Sequence, residues 1–214
     1  MILSSLAKHL TTQQATDLLL KLRQRERLTE TDIDSLIMSW AAKNQPKGLK
    51  DPIAWVAKAV AKKDVRYYLN YMYADTDKER LIATNGKCIH VMYGQLPDSF
   101  YGLIDPKSRL RVDMEAKYPN IDRAFNMDHE GEVVDKSKIE TVSTVMNKKV
   151  KPVIKIAENH YLLEQVEQAT NCKLADFEGR LMFDSRDTGL YIFDIVIKDH
   201  DVKCGAKIMP LRYL

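Results

Sequence analysis

The chain is poor in the residues on which several kinds of chemistry depend. Its 214 residues hold only eight glycines, and neither a GxGxxG nor a GxxxxGK[ST] loop occurs, which removes the usual backbone cradles for phosphate. Three cysteines, Cys88, Cys172 and Cys204, are far apart with no CxxC, so neither a disulfide framework nor a zinc site is indicated and buried thiols are expected. Five histidines, at 9, 90, 129, 160 and 200, are scattered, and none stands at ligand spacing from another histidine or cysteine. No apolar run approaches the ~20 residues that a membrane helix needs, and the start, MILSSLAKHLTTQQ, lacks the apolar stretch and cleavage site of a signal peptide. A cytoplasmic protein with no membrane partner is therefore expected. Charge of one sign is also scarce: the formal net charge is +3, which permits contact with nucleic acid only through local patches.

What is present is the composition of a folded protein, 45% hydrophobic. LTTQQATDLLLKL (10 to 22) and LTETDIDSLIMSW (28 to 40) align without a gap. Thr11 and Thr29 stand as N-caps, and Leu18, Leu19 and Leu22 match Leu36, Ile37 and Trp40. An N-terminal helical hairpin over 1 to 45 follows, read either as a cover for part of a sheet or as a docking device. KNQPKGLKDP (43 to 52) is the clearest linker, and Pro52 then opens a helix, PIAWVAKAVAKK, whose charges Lys58, Lys62 and Lys63 are all positive.

Three strands are expected next: RYYLNYMYA, RLIATN and CIHVMYG, the last two joined by the hairpin signal Asn85-Gly86. If the first is a strand, alternation puts Tyr67, Leu69, Tyr71 and Tyr73 on one face and Tyr68, Asn70 and Met72 on the other. From about 95 to 150 the pattern is irregular, with a short strand expected at 109 to 115. Regularity resumes with a strand at 151 to 157 and a helix over 158 to 170. The segments FEGRLMFD, GLYIFDIVIKD and VKCGAKIMP then read as strands. A helix followed by three strands thus occurs twice. No catalytic constellation converges: Asp184 and Asp187 in FDSRDTG read as a polar turn, and the chain is not expected to be an enzyme or to need a cofactor.

Two stretches carry a family resemblance. DVRYYLNYM (64 to 72) followed by LIATNGK (81 to 87) resembles the middle domain of the bacterial sliding clamp, the beta subunit of replicative DNA polymerase, where the pattern is D-V-R-Y-Y-L-N-G-M and then A-T-D-G-H-R-L. AKIMPLRYL at the C-terminus resembles the clamp's V-x-M-P-M-R-L, and VIKIAENHYLLEQVEQAT resembles the strand and helix opening the second half of a clamp domain. KYPNIDRAF (117 to 125) is similar to the F-P-D-Y-x-R-V segment that follows a clamp domain. The fold class implied is α+β: one DNA-clamp-like domain over 52 to 214, of two helix-plus-antiparallel-sheet halves, after the N-terminal hairpin.

The resemblance implies a non-enzymatic, sequence-independent DNA-binding factor that tethers or recruits a polymerase. The alternative is a clamp mimic that binds a polymerase, a clamp loader or another replication or transcription protein without encircling DNA. Arg66, Tyr67 and Tyr68, with Lys58, Lys62 and Lys63, become the DNA-facing candidates, since cations meet phosphates and phenol rings stack on bases. Leu69, Thr84, Gly86, Lys87, Cys88, Ile89, Met209, Pro210, Leu211 and Arg212 correspond to a groove for partner peptides, or else are plain strand packing. The chain departs from the family at Lys87-Cys88-Ile89, where the clamp has H-R-L, and in the segment 158 to 170, which carries Glu158, Glu164 and Glu167 and no lysine or arginine. A clamp chain has three domains and dimerises; this one offers little more than one, which suits a reduced, phage-encoded member acting in the host cytoplasm and leaves the oligomeric state open.

Overall fold

RLIAT (80 to 84) and CIHVMY (88 to 93) have no polar alternation, the pattern of strands covered on both faces. The structure, a computed structural model, bears this out. It describes residues 51–97, 100–112, 118–146, 148–197 and 202–211. The expected N-terminal hairpin and Arg212 lie outside them.

The helices are α1 (Pro52–Ala57) and α2 (Leu163–Thr170). The strands are β1 (Met72–Asp75), β2 (Arg80–Thr84), β3 (Cys88–Tyr93), β4 (Gly102–Ile104), β5 (Glu132–Val133), β6 (Glu140–Met146), β7 (Lys149–Ile156), β8 (Asn159–Leu162), β9 (Arg180–Phe183), β10 (Leu190–Phe193) and β11 (Lys203–Ile208). Eight strands form one sheet in the order β4-β1-β2-β3-β11-β10-β9-β5, and β6-β7-β8 form a second. Paired neighbours in the eight-stranded sheet run antiparallel. The order is nearly palindromic. Each half supplies a helix and three consecutive strands, and the halves meet where β3 pairs with β11 from Cys88↔Ile208 to Tyr93↔Lys203.

One sheet face packs Leu81, Ala83, Met92, Leu190, Ile192 and Ile208 against Trp55 and Val56 of α1 and Val166 and Ala169 of α2. The helices are tied at this layer: the Trp55 indole N–H donates to Ala169 O at 2.9 Å, and Gln168 Nε2 donates to Lys58 O at 2.7 Å. The other face, with Ile82, Ile89, Val91, Tyr191 and Phe193, is covered by Ile121 and Phe125. Phe125 presses on the seam itself, where a Cβ added to Gly205 would lie 2.6 Å from its ring.

Four expectations are corrected. The first helix stops at Ala57 rather than running to residue 63. Its last turn tightens into Lys58 N–H to Trp55 O and Ala59 N–H to Val56 O bonds, and the Ala61 N–H turns to Leu69 O at 2.9 Å. The tyrosine-rich segment is not a strand at its start: Tyr67–Asn70 form a 3-10 turn, and the strand begins at Met72. The Asn70 side chain causes this, accepting from Asp64 N at 2.9 Å and donating to Asp64 O at 3.0 Å, local bonds that no strand ladder supplies.

The expected helix over 158 to 170 begins only at Leu163, because residues 159 to 162 pair with β7 and bury Tyr161 completely. Finally, the stretch from 95 to 150 is less irregular than its sequence. It contains β4, β5 and β6, while near 109 to 115 the described backbone makes only a bridge between Ile104 and Arg111.

Candidate functional site: a groove across the seam

The turn between β2 and β3 is built from its own side chains. Thr84 Oγ1 donates to Cys88 O at 2.7 Å and accepts from Gly86 N at 3.1 Å, while Asn85 Oδ1 accepts from the N–H groups of Lys87 and Cys88. Gly86 has φ +80, a left-handed conformation for which glycine is suited. Its missing side chain also leaves room for the Arg66 guanidinium, whose Nη2 would lie 3.2 Å from an added Cβ. Arg66 is held there by Asp64, with Nη2 to Oδ2 at 2.9 Å and Nε to Oδ1 at 3.0 Å. The hydrogen bonds from Arg66 hold the Asp64 carboxyl down to about 2.

The end of β11 runs alongside this turn. Met209 N–H donates to Lys87 O at 2.8 Å and Leu211 N–H to His160 O at 2.8 Å, so Met209, Pro210 and Leu211 bridge from the first half of the sheet to β8. A third wall is the segment from Pro119 to Ala124. Asn120 caps its 3-10 turn by accepting from Asp122 N, and Asp122 accepts from Arg80 Nη1 at 2.7 Å. Hydrogen bonds from Arg80 and Lys78 keep the Asp122 carboxyl below the ordinary carboxylate range. Met146 at the tip of β6 and Gln165 on α2 complete the enclosure of a groove of about 720 Å³.

Eight of the ten groove candidates line this space: Leu69, Thr84, Gly86, Lys87, Ile89, Met209, Pro210 and Leu211. Cys88 does not. Strand alternation turns it into the helix-side core, where burial pushes its thiol up to about 11.

The DNA-facing candidates are divided by the structure. Arg66 and Tyr68 stand in the groove wall, whereas Lys62, Lys63 and Tyr67 are exposed on the loop between α1 and β1, beside a Val65 that is 97% exposed. Lys58 sits at the C-terminal end of α1, donating to Asn171 Oδ1 at 3.2 Å. The row of lysines expected along one helix is therefore replaced by one lysine at a helix end and two on a loop. On α2, Glu164 pairs with Lys151 at 3.0 Å and Glu167 with Lys173 at 3.2 Å; Glu158 lies in the turn before β8, off the helix.

Sequence reasoning did not single out Pro119, Asn120, Ile121, Ala124, Met146, Gln165 or Lys207 for the groove. The stretch 117 to 125 had a family resemblance that could have flagged the first four. Lys207 had no such signal: its side chain is 5% exposed, donates to Ala124 O at 2.9 Å and pairs with Asp187. Burial opposes the charge on Asp187, but Lys207, the Gly189 N–H and the Tyr191 hydroxyl outweigh it and keep that carboxyl below its usual range. Among the described residues, no helix is long and apolar enough to cross a membrane.

Comparison with known proteins agrees with the architecture. The chain is similar to the beta sliding clamp of Caulobacter crescentus, with a TM-score of 0.51 at 13% identity over 80% of this chain and 69% of that one. It is also similar to the DNA polymerase III beta subunit of Bartonella birtlesii, with a TM-score of 0.48 at 14% identity over 79% of this chain and 68% of that one. The beta subunit from Pseudomonas aeruginosa gives 0.47 at 15% identity, over 80% and 70%. No family model and no curated protein matches the chain. With two helix-and-sheet halves joined edge to edge, the chain has an α+β sliding-clamp-like fold.

Proposed function

We propose that this protein is a sliding-clamp-like factor that tethers or recruits a polymerase to DNA, without being an enzyme itself. The observation that supports this reading most is the groove across the seam. It is mostly apolar and within the 300–1,000 Å³ range of ligand-binding clefts, and it can bury one or two large side chains of an extended peptide. DNA would be met on the α1–β1 loop, where Lys62 and Lys63 offer charge to phosphates and Tyr67, 46% exposed, offers a ring face to a base. Such contacts carry no sequence information. Titration of labelled single- and double-stranded DNA at low salt tests this: binding should weaken with added salt and with Lys62→Glu and Tyr67→Ala. Absence of DNA binding at low salt would end this reading.

A second reading is supported by the helical layer. Because α1 stops at Ala57 and α2 carries Glu164 and Glu167, the described residues of this layer form no continuous row of cations to line a DNA channel. The protein would then act as a clamp mimic, presenting its groove to a polymerase, a clamp loader or another replication protein. Association with polymerase subunits that survives nuclease treatment and is lost in Met209→Asp distinguishes this reading from the first.

A further inference from the structure

The walls of the groove contain three charged side chains, Arg66, Lys87 and Lys207, and all are cations. The carboxylates nearby are already engaged. Asp64 is paired with Arg66, Asp187 with Lys207, Asp122 with Lys78 and Arg80, and Glu164 with Lys151. Lys87 is exposed at the β2–β3 turn and makes no ion pair with any described residue.

The β6–β7 hairpin adds to this asymmetry. Met146 and Lys149 are directly opposed partners in its ladder, as are Thr144 and Lys151. Opposed residues of an antiparallel pair project from the same face, so the face that turns Met146 into the groove also carries Lys149 and Lys151. The opposite face carries the exposed pair Val145 and Val150. Lys151 is held by Glu164 of α2, next to the groove residue Gln165, whereas Lys149 is exposed and has no ion pair among the described residues. Lys87 in the groove wall and Lys149 opposite Met146 in the hairpin ladder are thus two lysines with no ion pair among the described residues.

We infer that the β6–β7 hairpin tip is a basic lip of this groove, and that the groove takes an extended peptide whose apolar anchors are flanked by acidic side chains. This rests on the groove being a peptide site, as proposed above. The apolar anchors would fill the space between Leu69, Ile89 and Met209, and the flanking carboxylates would meet Lys87 and Lys149 at the solvent-exposed rim. Rim charges of this kind act chiefly on selectivity and association rate.

The test uses the full chain and two fluorescein-labelled decapeptides with the same two leucines and one phenylalanine, flanked by glutamates in one and by glutamines in the other. Fluorescence anisotropy at low salt should show the glutamate peptide binding about three- to tenfold more tightly, the size expected of two exposed ion pairs. The affinity ratio should approach one at roughly 0.5 M salt and in the double variant Lys87→Gln, Lys149→Gln. Equal affinities for the two peptides at low salt, with both bound, would overturn the acidic selectivity and leave the groove standing as a peptide site. If neither peptide bound, both readings would fail together.

Discussion

The two halves of the large sheet follow one plan but close their corresponding strands differently, and the groove lies at the tight turn of the first half. In the first half, β2 and β3 are joined by three residues, a turn whose backbone groups are satisfied by Thr84 and Asn85 and whose left-handed position is a glycine. In the second half, β10 ends at Phe193 because Asp194 adopts φ +57, and the chain takes until Lys203 to begin β11. The tight corner lets Met209 to Leu211 run alongside it, with Met209 bonded to Lys87. Repetition of a fold therefore does not repeat a site: the local chemistry of one turn decides where a cleft can open.

Disruption of the shared seam has the largest expected effect. Phe125 covers both halves at Gly205, and Phe125→Ala should cost about 3–5 kcal/mol in chemical denaturation, with both halves unfolding in one transition. Separate transitions would show that the halves are independent.

Next is His90, a buried polar group of the first half. Its ring stacks on Trp55 at 4.4 Å and its Nδ1–H donates to Trp55 O at 2.9 Å, while burial lowers its pKa from 6.5 to about 4 despite that bond. Between those values the unfolded chain binds a proton that the folded chain refuses, so stability falls as pH is lowered. The full loss is roughly 3 kcal/mol. Denaturation at a series of pH values should show this step, and His90→Gln should remove it.

Two turn substitutions sharpen the contrast between the halves. Gly86→Ala should cost about 1–2 kcal/mol, from left-handed strain and contact with Arg66, and should weaken peptide binding as well. In the β9–β10 turn of the second half, Thr188 already occupies a left-handed position at φ +57. Thr188→Gly should therefore change stability by less than about 1 kcal/mol, in the stabilising direction. Thermal melts of the two variants compare them directly.

What the sequence revealed was local. The strand cores Leu81 to Thr84 and Cys88 to Tyr93, the Asn85-Gly86 turn and the strand ending at Ile208 follow from residue type and spacing, and eight groove residues sit on these or on the stretches that resemble the clamp. What it concealed was non-local. Asn70 reads as one polar residue in an aromatic strand until its side chain is seen closing a ring on Asp64. Residues 159 to 162 have helical spacing but are claimed by β7, and β6 hides because most of its side chains face solvent. Met146 and Gln165 reach the groove only through packing of the second sheet and α2, which no local pattern announces.

The proposed function requires one protein to hold DNA and a partner peptide together. Sedimentation velocity with a duplex carrying one dye and the glutamate-flanked peptide carrying another tests it most directly. At low salt the two dyes should co-sediment only when the protein is present. Displacement of peptide by DNA, or a protein–peptide species that never carries DNA, would contradict the recruitment account.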